Sequence, residues 1–255
     1  MTADLSLTVV IALAAFGFIG GVGITAVGPG GVLPTIALFA LTDLTPAQVA
    51  GTAIVTHIAT GALATAAYTR SGQLRKPATR RTARLLSAAA VAGTPVGVTV
   101  NTIVSERVFG LMLATFVVGV AGLLWIRDHE DRGDARPHPS TFSVAALGFT
   151  ASMAAGIVGI GGPMLTVPLL IALGTPILES LAAAQAQSIV IATVGAVGYL
   201  AHGAIDWSLA AVVGIPELAG VLLGWKIAHV LPSRGLKYAL IISLLALGPY
   251  LAWQA

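Results

Sequence analysis

Residues 25–35 read Thr-Ala-Val-Gly-Pro-Gly-Gly-Val-Leu-Pro-Thr, and residues 156–166 read Gly-Ile-Val-Gly-Ile-Gly-Gly-Pro-Met-Leu-Thr. Each stretch carries a glycine cluster, Gly28-Pro29-Gly30-Gly31 or Gly159-Ile160-Gly161-Gly162, that interrupts a long apolar run. Each cluster precedes a short apolar segment, Val32 to Leu41 or Met164 to Leu173. Such segments are too brief to cross a hydrocarbon core of about 30 Å. The spacing therefore predicts two broken helices, each continuing as a half-helix. Pro34 is tolerated in the first turn of its half-helix.

Composition sets the surroundings of these breaks. Of 255 residues, 56% are hydrophobic and 9% are charged. Soluble domains carry roughly 25% charged residues, so the chain reads as an all-α polytopic membrane protein. A membrane barrel would show short alternating segments, whereas these runs are continuous and rich in Ala, Leu, Gly and Val. There is no cysteine, which excludes disulfides, thiolate metal sites and thiol relays. The net charge of +3 is not a nucleic-acid signature, because the basic residues lie between spans. The first seven residues lack the basic start of a secretory signal, so the first run is read as a retained segment.

Outward from the breaks, apolar runs cover about residues 5–27, 47–68, 85–100 and 108–126, then 141–158, 177–201, 209–230 and 236–253. Between them lie a basic loop at 70–84 and a linker, Arg127 to Ser140, with mixed charges. The two halves match. At a constant offset of 131, Gly17-Phe18 aligns with Gly148-Phe149, Thr35 with Thr166, Tyr68 with Tyr199 and Gly72 with Gly203. The glycine clusters obey the same offset. After a four-residue deletion Gly93, Gly97 and Arg107 align with Gly220, Gly224 and Arg234. This organises the chain as a first transmembrane repeat (1–127), a linker (128–140) and a second repeat (141–255), each with about five hydrophobic segments.

Basic residues are enriched in cytoplasmic loops. The 70–84 loop has six, and its repeat equivalent near 201–207 has none. The linker has three, and the N-terminus has none. Equivalent positions differ in alternating sense, as two oppositely oriented repeats require. The expectation is an inverted repeat in the cell membrane, with both termini outside and the linker 128–140 and loop 70–84 cytoplasmic.

A helix broken at glycine exposes unpaired N–H groups and the positive end of its dipole. Glycine also lets a ligand approach the backbone. An anion satisfies both demands. The residues expected to bind it are Gly28, Pro29, Gly30 and Gly31 with Gly159, Ile160, Gly161 and Gly162. Downstream, Thr52, Thr56 and Thr60 share one helix face, with His57 adjacent. Gln185, Gln187 and Ser188 fall deep in the matched run, where Ser188 aligns with His57 and Gln187 with Thr56. Thr56, His57, Gln185, Gln187 and Ser188 are expected to shape the cavity, while Thr52 and Thr60 read as interhelical hydrogen-bonding groups. Glu217 lies mid-run, where an ionisable group is a functional hypothesis, or else a packing carboxyl hydrogen-bonded across an interface. His57 and Glu217 are the candidate proton carriers. Gly93-x-x-x-Gly97 and Gly220-x-x-x-Gly224 mark close helix contact. No catalytic constellation, metal-ligand set or cofactor motif is found.

The duplicated Gly-x-Gly-Gly clusters, the downstream Thr and Gln positions and Tyr199-x-x-x-Gly203-x-x-Asp206-Trp207 resemble the TauE/SafE sulfite exporter family over nearly the whole chain. The resemblance implies a prokaryotic inner-membrane permease for sulfite or organosulfonates. The chain departs from that pattern at Pro29 and Val32 against Ile160 and Pro163, at Ala37 against Pro168, and at Leu74-Arg75 against Asp206-Trp207. The resulting expectation is a secondary transporter, and not an enzyme, that exports a small oxyanion by alternating access. Its partners would be the anion and the bilayer; protons as coupling ion, exchange and uniport are equally compatible, and so is a homo-oligomer. The competing readings are a transporter of another small anion, and a membrane-embedded enzyme or scaffold. The second is disfavoured by the scarcity of mid-depth charge and of large soluble loops.

Overall fold

The computed structural model describes residues 5–128 and 139–230, and these are helical with short connections. The order is α1 (Leu7–Ala26), a single 3₁₀ turn (Pro29–Gly31), α2 (Val32–Leu41), α3 (Pro46–Arg70), α4 (Pro77–Thr102) and α5 (Glu106–Asp128). Then follow α6 (Thr141–Val158), α7 (Pro163–Ala172), α8 (Ile177–Ala201) and α9 (Trp207–Val230). Six described helices are long and apolar enough to cross a membrane, namely α1, α3, α4, α6, α8 and α9. The expected run at 236–253 lies outside the described residues, as do Arg234 and most of the linker.

Local chemistry sets the helix starts. Ser6 and Ser140 accept hydrogen bonds from Val9 and Ser143 N–H at the starts of α1 and α6. Thr45 and Gln48 form a reciprocal capping box ahead of Pro46, which satisfies two otherwise orphaned N–H groups. Asp206 Oδ1 accepts from Leu209 N–H at 3.0 Å to begin α9.

One boundary differs from the expectation. The basic stretch 70–84 is not a loop throughout, because α4 begins at Pro77. Proline suits the first helical position. Thr79, Ala83, Leu86 and Ala90 are buried at helical spacing, while Arg80, Arg81 and Arg84 point outward. The apolar stripe carries the helix eight residues beyond the purely apolar run.

The packing exchanges elements between halves. α1 lies against α9, and α6 lies against α4. α3 and α8 cross at the centre, α3 also touching α9 and α8 touching α4. Glycines make the outer crossings close. A Cβ on Gly220 would stand 2.1 Å from the Phe18 carbonyl oxygen, and one on Gly224 would stand 2.3 Å from that of Val22. In the other crossing, a Cβ on Gly93 would stand 2.5 Å from the Phe149 carbonyl oxygen, and one on Gly97 would stand 2.1 Å from that of Met153. Phe149 and Met153 are Phe18 and Val22 shifted by 131. Small residues permit this backbone approach, which supplies the van der Waals contact that holds helices together in lipid. Ile11, Val91, Phe142, Val197, Ile215 and Leu222 are left exposed on the outside, as a lipid-facing surface requires.

Candidate functional site

Both helix breaks exist and both are buried. α1 ends with the Val27 and Gly28 N–H groups donating to Gly23 O, and α6 ends with Gly159 and Ile160 donating to Ala155 O. Gly28 has φ of 111° and Gly159 has φ of 75°. Only glycine adopts these left-handed conformations without strain. The half-helices α2 and α7 have 10 residues each, about 15 Å at 1.5 Å per residue, and neither can span. The first turn of α7 has no side-chain cap. The backbone bonds of this break stop at Ile160, leaving Gly161 and Gly162 N–H without a backbone partner among the described residues.

The breaks close on each other around α3 and α8. Gly28 packs on α7, with Pro163 O and Val167 both 3.1 Å from where its Cβ would be. Gly159 packs on Ala50 of α3, and its carbonyl accepts from Thr35 Oγ1 at 3.3 Å. The imidazole of His57 lies between the clusters: a Cβ on Gly31 would be 3.4 Å from its Cε1, and one on Gly161 would be 3.5 Å from its Cγ. Ser188 Oγ would be 2.7 Å from the same Gly161 Cβ. His57 and Ser188 are fully buried. Among the described residues neither Ser188 Oγ nor His57 Nε2 has a hydrogen-bond partner. Unpaired buried polar groups are expensive, and here they accumulate beside unpaired backbone donors.

Glu217 of α9 joins them from the other half. It is fully buried. Its Oε2 accepts from Thr56 Oγ1 at 2.6 Å, and its Oε1 lies 3.2 Å from His57 Nδ1. That second approach has ion-pair distance without hydrogen-bond alignment. Gly214 allows the contact, because Thr56 Cγ2 would be 3.1 Å from a Cβ there. Pro216 in α9 removes one ladder bond beside the carboxyl.

The other expected site residues divide. Gln185 Nε2 donates to Ile24 O at 2.8 Å, tying α8 to the last turn of α1, while its Oε1 is unpaired. Gln187 is taken up by protein at both ends, accepting from Thr166 Oγ1 at 2.7 Å and donating to Gly148 O at 3.3 Å. Gly30 turns away from His57 and packs on Gly20 and Gly23 of α1. Pro29 is buried beside it, and Ile160 is part of the apolar core. The threonine face separates as well. Neither Thr52 nor Thr60 makes the expected interhelical bond: Thr52 Oγ1 accepts from Asp206 N–H, in the connection before α9, at 2.9 Å, and Thr60 bonds back to Thr56 O in its own helix. Thr35 and Thr166, which hold the second break and Gln187, were marked only by their common offset of 131. The Ile24 carbonyl had no sequence signal, because its availability comes from its place in the final turn of α1. Among the described residues no three His, Asp or Glu side chains are grouped to hold a metal.

Comparison with known proteins converges on one family. The profile described as "Sulfite exporter TauE/SafE" matches residues 13–251. The chain is 25% identical over 232 residues to the "Probable membrane transporter protein YdhB" of Bacillus subtilis (strain 168), covering 89% of this chain and 93% of that protein. No solved structure gives a significant match.

Proposed function

The chain belongs to the sulfite exporter TauE/SafE family, and from that premise we propose that it is a secondary transporter that exports a small oxyanion such as sulfite or an organosulfonate. One observation carries the reading: two glycine breaks from different halves meet at a single buried imidazole whose Nε2 is unpaired. An oxyanion there would accept from Gly161 and Gly162 N–H, from Ser188 Oγ and from His57 Nε2. It would also lie at the positive end of the α7 dipole. Gly31 bounds the site opposite Gly161, and Gln185 Oε1 and Thr56 line its approaches.

Residues 1–127 and 141–255 act in this reading as two oppositely oriented halves, rocking about the breaks with linker 128–140 and the basic 70–84 segment in the cytoplasm. Supporting it, each outer crossing joins one half to the other, so any rotation between halves moves both breaks together. The pair His57 and Glu217 carries coupling protons. Uptake of labelled sulfite into proteoliposomes tests the assignment, with concentrative or counterflow movement expected. No movement of sulfite or of any sulfonate in a panel, from protein shown to be folded, would sink it.

A further inference from the structure

We infer that the site accepts only a singly charged anion and binds it together with one proton on Glu217, so that the transport cycle is electroneutral. The inference rests on the anion reading above and concerns its charge.

The first support is the inventory of charge. No lysine or arginine is buried among the described residues; the buried histidine and carboxyl near the breaks are His57 and Glu217, and Tyr68 and Tyr199 are the other buried ionisable side chains there. Of the helices packed against α9, α1 contains no ionisable side chain. α3 contributes His57, the buried Tyr68, whose hydroxyl donates to Thr25 O at 2.7 Å, and the exposed Arg70 at its end. On α9 itself Lys226 is exposed. The imidazole is therefore the cation available to an anion held between the breaks.

That cation is already shared with a carboxyl 3.2 Å away. Without anion, His57 and Glu217 together are neutral, whether the proton sits on the ring or on the carboxyl. An anion added to imidazolium and carboxylate would leave an uncompensated negative charge in a buried site, which is costly. Protonating Glu217 removes it: imidazolium, neutral carboxyl and monoanion again sum to zero. The loaded state then holds one more proton than the empty state. A dianion in the same setting leaves a net negative charge and is refused.

The second support is Thr56, which can serve both states of Glu217. A hydroxyl has one proton to donate and two lone pairs to accept. Thr56 Oγ1 has two acceptors in reach, Glu217 Oε2 at 2.6 Å and Ala53 O at 2.9 Å. With Glu217 ionised, Thr56 donates to the carboxylate. With Glu217 protonated, the carboxyl donates to Thr56, which turns its proton to Ala53 O. Both arrangements pair the atoms without moving a heavy atom, so the proton can come and go inside a packed helix contact.

The decisive measurement is made on wild-type protein in proteoliposomes on a solid-supported membrane, with sulfite as the probe and an internal pH indicator. The expected result is proton movement in the same direction as sulfite with no accompanying current. A sulfite-driven current overturns the inference while leaving the anion reading intact; no sulfite movement at all sinks the anion reading instead. Binding followed by thermal shift with methanesulfonate, which is singly charged at every working pH, adds the sign. Because a proton is taken up with the anion, affinity should fall about tenfold per pH unit over the range in which the empty His57–Glu217 pair holds a single proton. Glu217→Gln, a permanently neutral isostere, leaves His57 as the proton acceptor of the pair, so the pH at which the slope sets in should move. An unmoved pH profile overturns the proposal, as does protection by sulfate at least as strong as that by methanesulfonate. If the variant does not fold, the current measured on wild-type protein still decides.

Discussion

The crossing of α1 with α9 and the crossing of α6 with α4 are near copies, and they differ where chemistry would be done. Gly17 meets Val213, and its counterpart Gly148 meets Leu86. Gly21 packs on the backbone of Glu217, and the position equivalent to Glu217 is Ala90. At the centre His57 of α3 stands where α8 has Ser188, and Thr56 stands where α8 has Gln187. The glycine and tyrosine framework is duplicated. The ionisable groups occur once. The two breaks pack on each other at the centre of the fold, and the carboxyl–imidazole pair beside them has no copy in the other half.

If the crossings are equivalent scaffolding, equal damage should follow from equal substitutions. Gly97→Ala and Gly224→Ala each place a Cβ within 2.3 Å of a backbone carbonyl oxygen. Backbone cannot swing aside, so the helices must separate. Each change should cost at least the roughly 1–3 kcal/mol typical of overpacking. Thermal unfolding in detergent should show large and similar losses. One site tolerating alanine while the other does not would break the equivalence.

A subtler pair tests the ends of the broken helices. Tyr68 Oη donates to Thr25 O at 2.7 Å, and Tyr199 Oη donates to Gly156 O at 2.6 Å. Donors and acceptors are both related by the offset of 131. Both carbonyls lie in the last turn before a break, where helix acceptors lack partners. Tyr68→Phe and Tyr199→Phe should each cost about 1–3 kcal/mol by leaving a buried acceptor unpaired. Two similar shifts in unfolding temperature are expected; a neutral result at either site would show that break to be satisfied by something else.

The symmetry of this framework was readable because membrane packing leaves a periodic record. Glycines where backbones touch, tyrosines where helix ends need a donor and prolines at helix starts all carry their reason in the residue type. The half-helices and most helix bounds follow from that record. The extent of α4 did not, because its first two turns are basic outside and apolar only along one stripe, which a count of apolar residues reads as loop. The site was legible in parts. His57, Thr56, Ser188 and Glu217 were each recognisable as polar groups at depth. Their assembly was not, since His57 and Glu217 lie on helices of different halves and their register depends on Gly214 against Thr56. Gln187 looked as available as Gln185 in sequence; only the fold shows Thr166 and Gly148 occupying both its ends.

The smallest expected effect lies at a contact that the other half does not repeat. Lys76 Nζ reaches Glu179 Oε1 at 2.7 Å, and Thr79 Oγ1 reaches Glu179 Oε2 at 3.0 Å, joining the start of α4 to the start of α8. Thr79 and Glu179 line a surface cleft of about 90 Å³ together with Arg81 and Thr175. The positions equivalent to Lys76 and Glu179 are Trp207 and Gln48, so no second ion pair balances this one. Lys76 is 59% exposed, and water screens such a pair to about 0–1 kcal/mol. Lys76→Ala should therefore leave the unfolding temperature nearly unchanged. If the halves rock, it should also leave sulfite flux within about fivefold, since a contact worth under about 1 kcal/mol shifts an equilibrium by less than a factor of about five. A larger loss of flux without loss of stability would mean that this one-sided contact holds a conformation of the cycle, and that the asymmetry of the molecule extends from its centre to its surface.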